Sequence, residues 1–237
     1  MKALITGASS GIGCEIARQL SAMGIEVSLV ARRMTRLQEI KDELGDGVRI
    51  ISMDLADEQS CRLLYERLKE EDIDILVNNA GGYPKEIYNN IEHQAIKIWE
   101  WSEEQWDQII KTNLRIPFLC INKVVPEMIK QHSGKIVSVS SRMGRIASQM
   151  GAYAVAKAGI VTMTKTTAIQ TKEYGIQCNA VAPGIVDTPG QRVYNHSVGQ
   201  DGVAMGNAED VAKAIVYLLA DAPFVMTGQV IDLFTTV

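Results

Sequence analysis

The chain has 237 residues, 46% hydrophobic and 22% charged with 6 prolines, enough for one folded domain with a large core and too apolar for a disordered chain. A formal net charge of -4, with no basic cluster beyond Arg32, Arg33 and Arg36, argues against a nucleic-acid surface, and no apolar run of about 18 residues is present to span a membrane. The N-terminus passes straight into a strand-like Ala3-Leu4-Ile5 without a signal-peptide pattern, so a cytoplasmic protein starting near Met1 is expected.

Short β-branched runs alternate with helical stretches along the chain. Strands are expected near 2–6, 26–31, 48–53, 74–77, 134–140, 176–181 and 229–233, with helical patterns between them. Such alternation predicts one doubly wound α/β domain, a parallel sheet of about seven strands with helices on both faces. KALIT, VSLVA and DILVN are continuous apolar runs, as central strands require. Ser102-Glu103-Glu104-Gln105 has the form of a capping box and is expected to open a helix at Trp106. Cys14, Cys61, Cys120 and Cys178 follow no metal-ligand or CxxC spacing and read as buried free thiols; no metal is expected.

The first strand runs into TGASSGIG, residues 6–13, followed by a helical stretch. Gly7, Gly11 and Gly13 let the backbone turn sharply and approach a ligand, with Ser9, Ser10 and Ile12 between them. The helix beyond offers free N–H groups and a positive dipole end to a pyrophosphate. A purely structural turn is the competing reading. At the end of the second strand, where an acidic residue would bind ribose hydroxyls, stand Arg32 and Arg33. Arginine here accommodates a 2′-phosphate, so NADP(H) is expected over NAD(H). An ordinary solvated helix cap is the alternative.

In AYAVAKAG, residues 152–159, Tyr153 and Lys157 are four apart and share one face of a helix. Alone, the pair could be a solvated surface feature. In chemistry, a phenol is a reluctant acid-base catalyst at neutral pH, and a nearby ammonium favours the phenolate.

Taken together, these motifs resemble the short-chain dehydrogenase/reductase family over essentially the whole chain, which implies a Rossmann-like fold. TGASSGIG is similar to its TGxxxGxG loop, Asp54-Leu55 to its adenine-site pair, and NNAG at 78–81 to its motif after the fourth strand. Asn113 in KTNL, the serines of IVSVSS, the YAVAK segment and PGIVDT at 183–188 complete the pattern. The resemblance implies Tyr153 as proton donor or acceptor, Lys157 as its cationic partner and a contact of the nicotinamide ribose, and Asn113 as holder of a water in a proton relay. It implies a catalytic serine too: the strand start at Gly134 selects Ser141, whereas the commonest spacing back from Tyr153 selects Ser140. Strand register is the less elastic measure, so Ser141 is preferred. Asn79, Ala80 and Gly81 would pass beneath the adenosine ribose, and Pro183, Gly184, Ile185 and Thr188 would hold the nicotinamide end. For Asn113 a helix-kinking or capping role is the alternative, and for the 79–81 segment a plain strand-to-loop turn.

Two departures bear on the substrate. Between Gly81 and Trp106 the chain is longer than many relatives and rich in aromatics, so Tyr83, Tyr88, Trp99 and Trp101 are candidates to wall a pocket for an apolar or ring-containing substrate, or else to pack the insertion. The segment 187–207 is compact and carries Gly199, Gly202 and Gly206, in keeping with a loop that closes on a ligand. The C-terminal Phe234-Thr235-Thr236-Val237 lacks the paired glycines of many relatives. The expected activity is interconversion of a secondary alcohol and a ketone by hydride transfer. Reduction of a 3-oxoacyl chain on a carrier protein is the enzymatic rival, and a catalytically silent cofactor-binding regulator the rival of another class. A homotetramer is expected, with a dimer as runner-up.

Overall fold

The computed structural model describes residues 1–68, 72–83 and 97–234. Seven parallel strands form the main sheet: β1 (Lys2–Thr6), β2 (Glu26–Ala31), β3 (Val48–Ser52), β4 (Ile75–Asn78), β5 (Gly134–Val139), β6 (Ile176–Pro183) and β9 (Val230–Leu233). Their order is β3-β2-β1-β4-β5-β6-β9. The expected strands are all present, with ends displaced by no more than a turn residue or two. The central ones are buried on both faces, which is why Leu4, Ile5, Ile75 and Leu76 can form unbroken apolar runs.

Helices cover both faces. α1 (Gly11–Ala22), α2 (Met34–Leu44) and α8 (Ala208–Ala220) lie on one side, where Ile16, Leu20, Leu37 and Ile215 join a core cluster with Ile5 and Leu29. On the other side α3 (Glu58–Leu68), α5 (Ile116–Gln131) and α6 (Gly151–Thr171) enclose Leu4, Leu64, Leu76, Cys120, Met128 and Ile136. Between β4 and α5 runs α4 (Glu103–Ile110), and α7 (Pro189–Ser197) follows β6. Cys14, Cys120 and Cys178 are buried free thiols, as expected, with burial pushing Cys178 up to about 12; the side chain of Cys61 lies outside the described part.

The capping box is present in both halves, since the Gln105 N–H donates to Ser102 Oγ at 3.2 Å and the Ser102 N–H donates to Gln105 Oε1 at 3.3 Å. The helix therefore starts at Glu103, not at the expected Trp106: a residue that caps N–H groups must stand immediately before the first turn.

A second small ladder was not expected. β7 (Val186–Asp187) and β8 (Gly206–Asn207) pair in parallel, Val186 opposite Gly206 and Asp187 opposite Asn207. The Gly206 N–H also donates to the Ile185 carbonyl at 2.8 Å. The segment 188–205 thus leaves and re-enters the body of the molecule at one point, with α7 inside it.

Strand order reverses between β1 and β4. Helices leave the two strands on opposite faces there, and a crevice opens at their carboxyl ends. Both Gly-rich and Asn-rich loops start at this crevice.

Candidate active site

The glycine-rich loop after β1 is shaped by contacts that forbid side chains. Gly7 has φ +69°, and a Cβ there would stand 2.9 Å from Ala80 Cα. At Gly13 a Cβ would meet Asn79 Nδ2 at 2.5 Å and the Gly7 carbonyl oxygen at 2.6 Å. Asn79 Nδ2 donates to the carbonyls of Thr6 at 3.0 Å and Gly7 at 3.2 Å, while Thr6 Oγ1 accepts from the N–H groups of Asn79 and Ala80. The ends of β1 and β4 are therefore tied together beneath the loop. Ser10, the N-cap of α1, makes no side-chain cap bond, so its hydroxyl leaves the first-turn N–H groups to another acceptor. Ser9 is buried, and Ile12 packs against the core cluster.

Arg33 and Arg32 diverge. Arg33 Nη2 donates to Ser9 Oγ at 2.9 Å and Ser10 Oγ at 2.8 Å, setting a cation over the loop. Arg32 is exposed, and its carbonyl accepts from Ser52 Oγ at 3.1 Å. At the end of β3, Asp54 Oδ1 accepts from the Ala56 N–H at 2.9 Å while Leu55 is buried.

Lys157 is 4% exposed, and its Nζ donates to the Val139 carbonyl at 2.9 Å. Burial lowers it from 10.5 to about 8, because the site withholds water from the ammonium. Nζ stands 5.6 Å from the centre of the Tyr153 ring, so the i,i+4 pair does share a face, pointing inward. The small residues of AYAVAKAG have a steric reason. A Cβ on Gly144 would lie 2.5 Å from the Lys157 carbonyl carbon, and one on Gly159 would lie 2.8 Å from Leu114 Cδ2, so the loop after β5 and the segment before α5 press directly onto α6.

The two serines are separated by orientation. Ser140 is buried and its Oγ donates to the Lys157 carbonyl at 2.8 Å, a bond that ties β5 to α6. Ser141 is half-buried, and its Oγ accepts from the Met143 N–H at 3.2 Å, leaving the hydroxyl proton to be directed elsewhere.

Asn113 lies in a five-residue π-helical turn, Lys111–Arg115, between α4 and α5. Its Nδ2 donates to the carbonyls of Gly82 at 2.8 Å and Ile109 at 3.1 Å, and its Oδ1 accepts from the Gly82 N–H at 2.7 Å. A Cβ on Gly81 would meet Asn113 Oδ1 at 2.9 Å and Lys157 Nζ at 3.3 Å, so Gly81, Asn113 and Lys157 converge. The helix-distorting reading of Asn113 is met by the π turn, and its side chain clamps the loop after β4.

That loop delivers one of the insertion aromatics expected either to wall a pocket or to pack the insertion. Tyr83 stacks on Tyr153, with ring centres 5.1 Å apart at 26°, and on Tyr194 of α7, 5.9 Å apart at 23°. Tyr83 Oη donates to the Met150 carbonyl at 3.3 Å. Of the other insertion aromatics, Trp101 lies against Gly151 in a cluster with Ile109 and Ala152, Trp99 is 76% exposed under Lys97, and Tyr88 lies outside the described residues. The pairing of Tyr194 with Tyr83 joins segments more than a hundred residues apart, and no local pattern announces it.

At the far end of the crevice, Gly184 donates its N–H to the Leu233 carbonyl at 3.2 Å, and a Cβ on it would stand 2.7 Å from Phe234 Cβ. Pro183 closes β6, and Ile185 is 39% exposed. Thr188 caps α7 by accepting from the Gln191 N–H at 3.1 Å, and its methyl lies 2.7 Å from where a Cβ of Gly11 would be. Among the described residues no cluster of His, Cys, Asp and Glu could hold a metal ion.

The chain and its fold have counterparts. The chain is 32% identical over 236 residues to the 3-oxoacyl-[acyl-carrier-protein] reductase FabG of Escherichia coli (strain K12), covering 96% of this chain and 93% of the relative. Among solved structures, a point variant of actinorhodin polyketide ketoreductase with NADPH is similar with a TM-score of 0.85 at 27% identity, covering 98% of this chain and 94% of that one. The closed form of serine dehydrogenase complexed with NADP+ is similar with a TM-score of 0.84 at 26% identity over the same shares. The sequence profile of short chain dehydrogenases matches residues 1–198, and with this coverage the chain belongs to the short-chain dehydrogenase family, a family of oxidoreductases.

Proposed function

We propose that the protein transfers hydride between NADP(H) and a secondary alcohol or its ketone, with Tyr153 as the acid/base group. The observation that carries this reading is the buried ammonium of Lys157, fixed by the Val139 carbonyl beside the Tyr153 ring. A bound nicotinamide cofactor supplies the hydride for the carbonyl carbon. In reduction, Tyr153 gives its phenolic proton to the carbonyl oxygen, and Lys157 stabilises the phenolate that remains. Ser141, whose hydroxyl proton is not spent on the fold, donates to the same oxygen and orients it. Asn113 holds Gly82, and through it the loop under Lys157, and belongs to the proton path behind the lysine.

The glycine cradle fits a dinucleotide. Gly7, Gly11 and Gly13 leave room for a pyrophosphate at the N-terminus of α1, with Ser9, Ser10 and Ile12 around it. Asp54 and Leu55 would flank the adenine, Asn79, Ala80 and Gly81 the adenosine ribose, and Pro183, Gly184, Ile185 and Thr188 the nicotinamide. Arg33, already drawn onto Ser9 and Ser10, supports NADP(H) over NAD(H), with Arg32 adding charge nearby. The solved relatives that carry NADPH and NADP+ favour the same choice.

The substrate site is assigned to the 82–101 insertion and the 187–207 segment of this single domain. A second reading, reduction of a 3-oxoacyl group on a carrier protein, is favoured by the FabG relative. The acidic balance of the chain gives it little support, because an acidic carrier docks on a basic patch.

The test is cofactor oxidation across cyclic ketones, sugars, aryl ketones and 3-oxoacyl thioesters, with NADPH and NADH in parallel. Turnover with NADPH in preference to NADH is expected, falling by about 10²–10⁴-fold in Tyr153→Phe. Tyr153→Phe turning over at the wild-type rate would refute the assignment. Tight NADPH binding without turnover would favour the silent regulator.

A further inference from the structure

We propose that Tyr83 is a positioning residue for the acid/base group: its ring, stacked on that of Tyr153, stops the phenol from swinging away from Lys157 and the substrate oxygen. The inference rests on the oxidoreductase reading and adds to it a residue outside the set of Asn113, Ser141, Tyr153 and Lys157.

A phenol keeps a freedom that its helix does not remove. The hydroxyl is the atom farthest from Cα, so a modest rotation about χ1 carries it out of reach of a substrate oxygen, and a neighbour against the ring face is what prevents the swing. Spacing along α6 puts Tyr153 and Lys157 on one side of the helix but fixes no ring plane. Tyr83 supplies the neighbour, with ring centres 5.1 Å apart and planes inclined by 26°.

A stop has to be rigid, and Tyr83 is held from several directions. The preceding Gly82 donates its N–H to Asn113 Oδ1 at 2.7 Å and accepts from Asn113 Nδ2 at 2.8 Å. Gly82 adopts φ +114°, where a side chain would be strained, so the turn that delivers Tyr83 needs glycine. At its other end, Tyr83 Oη donates to the Met150 carbonyl at 3.3 Å, and that same oxygen accepts the Tyr153 N–H at 3.0 Å. Met150 is the N-cap of α6, so both tyrosines are referred to one point at the start of the helix. Their rings pack with Trp101 and Trp106 around Ile109 and Ala152, in a cluster separate from the two faces of the sheet. Tyr194 of α7 lies on Tyr83 in turn, 5.9 Å away at 23°. A continuous path thus runs from Asn113 through Gly82 and Tyr83 to the ring of Tyr153.

The experiment compares Tyr83→Phe, which keeps the ring and loses the bond to Met150, with Tyr83→Leu, which keeps apolar bulk and loses the flat face. Tyr83→Met, more adaptable in packing, replaces the leucine variant if that does not fold. Steady-state reduction of the ketone panel by NADPH is the first readout. Tyr83→Leu is expected to lower kcat about ten- to a hundredfold with KM within about threefold of wild type, and Tyr83→Phe to stay within about threefold in both. The second readout needs no substrate: NMR spectra of protein with ¹³C-labelled tyrosine rings, in which the Tyr153 signals are those missing from Tyr153→Phe. Their ring-current displacement is expected to persist in Tyr83→Phe and to collapse in Tyr83→Leu. A loss carried by KM at unchanged kcat would make Tyr83 a pocket wall and overturn the proposal. So would a Tyr83→Phe variant as impaired as Tyr83→Leu, or Tyr153 signals indifferent to Tyr83→Leu. Wild-type protein that reduces no ketone of the panel would overturn the oxidoreductase reading instead, and the ring spectra would still decide whether Tyr83 holds Tyr153.

Discussion

An ammonium with almost no access to water is costly to keep charged, and Lys157 is such a group. Its folded-state value lies near 8 against an ordinary 10.5, so the folded protein binds fewer protons than the unfolded chain between those values. Stability from this residue therefore rises with pH across that window, and the full cost is present below about 8. Lys157→Met should raise stability at neutral pH by roughly 2 kcal/mol, after allowing about 1 kcal/mol for the unpaired Val139 carbonyl, while abolishing turnover. Denaturant unfolding of both proteins across the pH range checks this. The gap should close as the pH rises from about 8 toward 10.5; a variant less stable than wild type throughout would contradict it. At the same scale, the Tyr153–Lys157 pair was readable because helical spacing alone puts the two on one face. Strand register likewise favoured Ser141, and the buried bond from Ser140 to the Lys157 carbonyl supplies the reason for two adjacent serines. Arg32 and Arg33 could not be ranked beforehand. Which of two neighbouring side chains leans over the glycine loop depends on how the chain leaves β2, and a sequence does not state that angle.

Glycines in the α1 loop do their work by absence. Alanine at Gly13 would place a methyl 2.5 Å from Asn79 Nδ2 and 2.6 Å from a backbone oxygen, in the knot that joins β1 to β4. Gly13→Ala is expected to destabilise by about 1–3 kcal/mol and to weaken NADPH binding at least tenfold. Gly190→Ala, with nothing within 4 Å of the new carbon, serves as the control and should stay within about 0.5 kcal/mol. Thermal unfolding and a fluorescence titration of NADPH read both effects, and equal losses in the two variants would show that the cradle is not the cause. Strand positions and the capping box were visible in the sequence because each follows from a local rule. The π turn around Asn113 and the β7–β8 ladder were not, since both depend on partners brought from elsewhere: Gly82 in one case, and a second two-residue stretch beyond α7 in the other.

At the scale of the molecule, the α5–α6 face carries an apolar groove of about 870 Å³, bordered by Leu114, Phe118, Ile121, Val125 and Met163, with Phe118 51% exposed. We propose this face as the contact through which copies of the chain associate, to a tetramer or else a dimer. Light scattering after size exclusion is expected to give a mass that is a multiple of 26.0 kDa, and Phe118→Lys to shift it downward. A wild-type monomer at micromolar concentration would remove this proposal without touching the site. The parallel sheet and its two-sided core could be anticipated from the alternation of elements, whereas the aromatic column of Tyr153, Tyr83 and Tyr194 is a property of the assembled molecule alone.

The β7–β8 ladder has an evolutionary corollary. Because the 188–205 segment begins and ends side by side, the part of it beyond Thr188 is expected to be exchangeable like a cassette in a socket, with the seven-stranded frame undisturbed. Doubling the length of such an excursion costs only about 0.6 kcal/mol in closure entropy. New ligand preferences can thus arise by swapping one short piece of chain, while the machinery that moves hydride and proton stays where it is.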